Sequence, residues 1–303
     1  MSRIIIGIHG LRNKPPRKVL KKWWKKSIRE GLRAIEHPRW FFRFELVYWA
    51  HMLYPEPFNP REKDKENPLY LSAPYRPAKD FHKKKPGRLR KKILETLEKQ
   101  MDKIFLNEDL SINFERITDH IIRRYFEDLD TYYKATIQDS HNNEFLARDI
   151  IRTELAKVLY KHRKKKILLI AHSMGSIIAY DVLTQMVPYI EIDTLVTIGS
   201  PLGIPIIIRK ILTEQKNLTL KEKPKTPGNI VNGWYNFSDL KDKVVLDYTL
   251  ANDFKENSRG IRAVDKVVYN NYEINGERNP HKSYGYLRTL ECSEVIHDFL
   301  TGT

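Results

Sequence analysis

KKKILLIAHSMGSIIAYDVL, the stretch from Lys164 to Leu183, decides how this chain is read. The apolar run Ile167 to Ala171 has the length of a short buried strand, whereas Ile177, Ile178, Tyr180, Val182 and Leu183 recur as on a buried helix. Ser173 therefore falls in the turn between the two. In a parallel sheet such a turn lifts its residue above the strand ends. The hydroxyl is exposed there, and the next backbone N–H and the helix N-terminus face the same space. The turn has to be tight, and small residues, Ala171 and Gly175, stand two positions to either side.

Outward from this stretch, strand-like and helix-like segments alternate. RIIIGIH reads as a first strand and leads through HGLRNKPP into a helix that Pro15 and Pro16 suit at its start. WFFRFELVYWA reads as a second strand. From His51 to about His82 the pattern is irregular; Arg88 to Leu106, Phe114 to Gln138 and Glu144 to Tyr160 read as helical. After Ser173 come a strand in DTLVTIGSPLG, a short helix in IPIIIRKIL, a strand and loop in NIVNGWYNFSDLKDKVVLD, a late strand in VDKVVYNNYE and a closing helix in SYGYLRTLECSEVIHDFL. This alternation predicts an α/β fold with a mostly parallel sheet and helices on both faces. The expectation is one domain over 1–303, with a largely helical, lid-like insertion at 52–140.

The chain of 303 residues is long enough for one large core, and its single cysteine, Cys292, cannot close an internal disulfide. No charged leader followed by an apolar segment precedes the first strand, and no apolar run reaches about 18 residues. The expected location is cytoplasmic. The formal charge is +16, and twelve Lys or Arg against two acids lie between Arg12 and Arg43. Within that segment Leu20, Trp24, Ile28, Leu32 and Ile35 keep helical spacing, which predicts a core-packed helix with a basic outer face. Lys18, Lys21, Lys22, Lys25 and Lys26 on that face suit peripheral contact with an anionic membrane. Nucleic acid is the poorer partner, since no binding signature accompanies the charge.

AHSMG, together with GIHGL after the first strand, an aspartate-bearing loop after a later strand and a histidine before the last helix, resembles the α/β-hydrolase superfamily in its lipase and esterase branches. AHSMG departs from G-x-S-x-G at its first position, where Ala keeps the site small. The resemblance implies a Ser-His-Asp triad in which Ser173 is the nucleophile. His281 in ERNPHKSYGYL is the implied base, since His297, the other histidine beyond Ser173, lies in the patterned last helix. FSDLKDKVVLD offers Asp239, Asp242 and Asp247 as the acid; Asp242, in Asp-Lys-Val where relatives carry Asp-Pro-Val, is preferred and Asp239 stands second. The backbone N–H groups of Leu11 and Met174 are the implied oxyanion donors, each worth roughly 3 to 4 kcal/mol. His9 and His172 flank the site and read as structural hydrogen-bonding residues.

Neither a GxxxxGK[ST] phosphate loop nor an HExxH metal motif occurs, so no cofactor and no metal are expected. The function implied is hydrolysis of a carboxylic ester, a small-molecule or lipid ester with an apolar acyl part, through an acyl-enzyme. Pro205 to Ile208 and Tyr70 to Leu71 are candidates for the acyl pocket. Thioesterase or acyltransferase chemistry would use the same residues. A non-catalytic module binding membranes or nucleic acid is the alternative from another class.

Overall fold

A computed structural model describes residues 1–79, 81, 127, 129–138, 144–214, 223–245 and 247–303. Its centre is a six-stranded sheet. In chain order the first elements are β1 (Arg3–Ile8), α1 (Arg17–Ala34), β2 (Phe44–Val47) and a short α2 (Ala50–Leu53). A small hairpin of β3 (Thr136–Gln138) and β4 (Glu144–Leu146) leads into α3 (Ala147–His162). Next come β5 (Lys166–His172), α4 (Met174–Asp181) with a π turn at Val182–Met186, β6 (Ile192–Ile198) and α5 (Pro205–Glu214). The chain closes with β7 (Ile230–Ser238), β8 (Ala263–Val267), a second hairpin of β9 (Glu273–Ile274) and β10 (Glu277–Arg278), α6 (Ser283–Tyr286) and α7 (Leu290–Thr301).

The main sheet runs β2-β1-β5-β6-β7-β8, and every pair in it is parallel. Parallel pairing needs crossovers, which place helices on the faces, and the strands are accordingly near-continuous in apolar residues. Alternation sorts those residues between two cores. Ile4, Ile6 and Ile8 lie beside Ile167, Leu169 and Ala171 in register and pack towards α3, α4 and α5. Ile5, Leu168, Ile170, Val196 and Ile198 point to the opposite layer of α1 and α7. The basic helix α1 buries Leu20, Trp24, Ile28 and Leu32 there, as its spacing predicts. Each such side chain contributes roughly 1.5 to 3 kcal/mol by leaving water. On the other face a buried ion cluster ties three helices together: Arg152 of α3 pairs with Asp181 of α4 and, at 3.1 Å, with Glu214 of α5.

Several local expectations change. WFFRFELVYWA supplies only the strand Phe44–Val47, because Trp40 and Phe41 face solvent instead of a core. Residues 129–134 are helical as expected, but 136–138 are strand, paired with Glu144–Leu146 where a helix start was expected. The predicted helix over Arg88 to Leu106 and most of the expected insertion at 52–140 lie outside the described residues. Among the described residues no helix is long and apolar enough to cross a membrane.

The strand order has one decisive consequence. The chain leaves β1 towards β2 on one side and leaves β5 towards β6 on the other. The two loops diverge, which opens a crevice at the C-terminal ends of β1 and β5. Gly10–Leu11 and Ser173 are the residues that border it.

Candidate active site

Ser173 joins β5 to α4 with φ 55° and ψ −128°. A non-glycine residue pays roughly 1 to 3 kcal/mol for such a conformation, and the surroundings hold it there. Its N–H donates to the carbonyl of Ile198 at 3.1 Å, and its carbonyl accepts from the Ser176 hydroxyl at 2.7 Å. The crowding is severe: a Cβ on Gly10 would lie 2.7 Å from Ser173 Cβ, and one on Gly175 would lie 2.8 Å from the Ile8 carbonyl. Both positions therefore need glycine, and the loop after β1 lies directly against the serine.

His281 approaches from the loop between β10 and α6. Its Nε2 is 3.0 Å from Ser173 Oγ, and its Nδ1 is 2.8 Å and 3.0 Å from the two Asp242 carboxylate oxygens. With Nδ1–H donated to the carboxylate, Nε2 is left with a lone pair facing the serine hydroxyl. Asp242 is buried at the end of the β7 loop, where it also accepts the Val244 N–H at 3.0 Å and the Tyr286 hydroxyl at 2.8 Å. Gly199, at φ +54°, allows this approach; a Cβ there would meet Asp242 Oδ2 at 3.0 Å and His281 Nδ1 at 3.3 Å.

Asp239, the second candidate acid, is engaged elsewhere. It forms a two-pronged ion pair with Arg278 at 3.0 and 3.1 Å and accepts the Asn270 and Lys241 N–H groups. Asp247, the third, accepts the Thr249 N–H at 2.8 Å and packs on Gly203. His297, set aside from sequence, stacks on His37 with ring centres 4.0 Å apart.

Two histidines organise the site without reaching Ser173. His9 accepts the Trp49 N–H on Nε2 at 3.1 Å, so its Nδ1–H donates to the Gly10 carbonyl at 2.7 Å. In a trans peptide the C=O and the next N–H point opposite ways, so fixing the Gly10 carbonyl also aims the Leu11 N–H. Burial first, and the positive charge of Lys14 second, hold His9 well below the ordinary imidazole range. The Met174 N–H, at the first position of α4, is one of the amides that a helix leaves without an internal acceptor. His172 donates its Nε2–H to the carbonyl of His281 at 2.8 Å, and burial likewise keeps it neutral.

The loop carrying His281 is held at each residue. Asn270, fully buried, donates its side-chain N–H groups to the carbonyls of Pro280 at 2.7 Å and Lys282 at 2.8 Å, on either side of the one held by His172. His172 was read from sequence as a structural hydrogen-bonding residue, without its partner; sequence reasoning missed Asn270 and Tyr286. Neither Asn270 nor Tyr286 lies in a motif, and most of their partners come near through the fold.

Above Ser173 opens a cavity of about 1020 Å³. Leu11, Leu20, Phe58, Leu71, Val244 and Tyr284 give it apolar walls, and Arg12, Lys241, Lys243 and Lys282 bring positive charge. Of the acyl-pocket candidates Tyr70 and Leu71, Leu71 lines this cavity and Tyr70 does not. Pro205 to Ile208, at the start of α5, do not line this cavity; Ile206 and Ile207 are buried on the core-facing side of that helix. Lys282, partly exposed, is lowered to about 8 by burial and by the nearby charge of Arg12. Among the described residues no cluster of three or more metal-ligating side chains occurs.

A six-stranded parallel sheet flanked by helices, with a strained serine at its topological switch point, is the α/β-hydrolase fold. The comparison with protein families agrees: residues 124–232 match the PGAP1-like alpha/beta domain, which is of the lipase- and esterase-like kind. The matched segment contains Ser173 and Met174; Leu11 precedes it, and Asp242 and His281 follow it. No curated protein matches the chain.

Proposed function

We propose that this chain is a serine hydrolase that cleaves a carboxylic ester through an acyl-enzyme. The observation that carries the reading is the hydrogen-bonded line from Ser173 Oγ through His281 to Asp242, on a strained turn at the floor of the cavity. Ser173 Oγ attacks the ester carbonyl while its proton passes to His281 Nε2, and Asp242 stabilises the imidazolium that forms. The carbonyl oxygen, now anionic, is received by the Leu11 and Met174 N–H groups. Collapse breaks the C–O bond, and the departing alkoxide takes the proton from Nε2. Water then repeats the sequence on the acyl-serine, releasing the acid and restoring the hydroxyl.

The cavity supports an ester with an apolar acyl part, seated on Leu11, Phe58 and Leu71. Positive charge from Lys282 and Arg12 favours a substrate with a negative group beyond the ester. A fluorophosphonate probe tests the reading. Wild type should be labelled on Ser173 and Ser173→Ala should not be labelled; equal labelling of the two would remove Ser173 from the mechanism.

A further inference from the structure

All strands of the main sheet begin at one edge and end at the other, so the loops leading into β2, β5 and β6 gather on the edge opposite Ser173. Exposed aromatic side chains collect at that edge. Trp40 (66% exposed) and Phe41 (91%) precede β2, Tyr160 (51%) stands in the last turn of α3 ahead of β5, and Tyr189 (68%) precedes β6. The other strongly exposed aromatic among the described residues, Phe145, lies at the far end of α3.

Cations occupy the same loops. Arg39 and Arg43 flank Trp40 and Phe41, while Arg163 and Lys164 form the turn from α3 into β5. The Arg33 guanidinium lies 5.9 Å above the Trp40 ring, and that of Arg163 lies 3.9 Å above Tyr160. β2 and β5 flank β1, so their leading ends are about 10 Å apart and the two groups form one surface. Nearby acids are largely taken: Glu45 accepts from Lys161 at 3.0 Å and from His162 at 2.5 Å, and Asp193 pairs with Lys166 at 3.6 Å. Glu36 and Asp298 are exposed close by, which leaves the edge net positive.

We propose that this edge docks on an anionic lipid bilayer, with Trp40 and Phe41 entering the headgroup layer and Arg39, Arg43, Arg163 and Lys164 facing anionic headgroups. A bilayer is the partner that removes a side chain such as Phe41 from water while leaving adjacent cations in a polar layer. Lys25 and Lys26 of α1 also lie over aromatic rings, Phe42 at 5.3 Å and Tyr75 at 5.4 Å, but α1 itself carries no strongly exposed aromatic side chain that could enter a headgroup layer. The edge is about 23 Å from Ser173 along a strand of seven residues. A docked molecule therefore turns its cavity away from the bilayer, and the ester reaches it from the aqueous side. This surface does not depend on the esterase reading.

Co-sedimentation of the full chain with phosphatidylcholine vesicles, with and without phosphatidylserine, tests the proposal. Binding should require phosphatidylserine and weaken as salt shortens the Debye length from about 10 Å at 0.1 M to about 3 Å at 1 M. Arg43→Gln with Lys164→Gln should lower partitioning about 25-fold, from roughly a five-fold loss for each charge. Trp40→Ser with Phe41→Ser should lower it by a similar factor. In wild type, brominated lipid should quench tryptophan fluorescence, and Trp40→Phe should remove that quenching while retaining binding. Unfolding midpoints of all variants should match wild type, because the altered side chains are on the surface. Equal binding to neutral vesicles, binding unchanged by both double variants, or binding to single-stranded RNA without binding to vesicles would each overturn the proposal.

Discussion

His172 Nε2 lies 2.8 Å from the carbonyl oxygen of His281, so the residue ahead of the candidate nucleophile holds the backbone of the candidate base. The two imidazoles, with ring centres 4.9 Å apart, cannot both be charged at low cost, and burial keeps His172 neutral. A neutral His172 can still donate one N–H, and this structure uses it. His172→Phe preserves bulk and removes the donor. We expect kcat on a soluble ester to fall about 10- to 100-fold with KM little changed, since a small misplacement of the base weakens the transition state more than binding. His172→Gln, which restores a donor, should recover part of the loss. Steady-state kinetics of the two variants check this, and equal activity of His172→Phe and wild type would leave His172 with packing alone.

Asp242 and Asp239 are three residues apart, yet they should respond differently to the same substitution. Asp242→Asn should lower kcat by up to about 10⁴-fold, because an amide facing His281 Nδ1 selects the wrong tautomer. Asp239→Asn leaves the Arg278 guanidinium short of its carboxylate and should cost stability, about 2 to 4 kcal/mol, with a smaller change in kcat. Urea unfolding beside ester hydrolysis separates the two, and the opposite pattern would reassign the acid.

As pH falls below 6.5 two buried histidines should destabilise the fold, opposed in part by buried Asp181, which is raised to about 6 by burial and takes up a proton more readily folded than unfolded. His9 and His172 are both held well below 6.5, mainly by burial, so just below pH 6.5 the unfolded chain binds protons that the folded chain refuses. Stability is then complete above pH 6.5 and declines as pH falls, by up to about 1.4 kcal/mol per pH unit for each histidine. Urea midpoints at several values between pH 7.5 and pH 5 should show this decline, and His172→Phe should reduce its slope. A flat profile in wild type would show that the two rings accept protons without cost.

Lys282 supplies a pH dependence of another kind. It is lowered to about 8, so it is charged at neutral pH and discharges as pH rises through that value. Wild type should prefer an ester carrying a carboxylate or phosphate over its neutral counterpart at pH 7, and the preference should shrink by pH 9. Lys282→Met should show a weaker preference at pH 7 and little change with pH. The ratio of kcat/KM for the paired esters is the measurement, and a ratio independent of both pH and Lys282 would remove this residue from substrate selection.

The framework was legible where one residue pattern serves one local purpose. Ile167 to Ala171 and Ile192 to Ile198 are buried on both faces of a sheet, so their apolar runs announce strands, and the periodic apolar face of α1 announces a buried helix. WFFRFELVYWA misled because aromatic residues at a solvent-facing edge have the composition of a buried strand. Ser173 stood out because a strained turn confines neighbouring residue types. The choice between Asp242 and Asp239 could not be read in this way, because it turns on Arg278, which meets Asp239 through the fold and not through sequence proximity. Asn270 and Tyr286 were invisible for the same reason. Each acts through a hydrogen bond to residues brought near only by tertiary structure.

A main sheet with every strand running the same way gives this protein two ends, and the proposed reaction and the proposed docking surface lie at opposite ones. Loops that leave strands carry the serine, its histidine and its aspartate; loops that lead into strands carry none of them. The two sets share no residue and are separated by the length of the strands. On these two proposals, substitutions that retune the reaction and substitutions that alter docking are drawn from different positions, and either set can change while the other is inherited intact. An engineer could transplant the leading loops of another parallel-sheet protein onto this frame and give it a new address without rebuilding its chemistry.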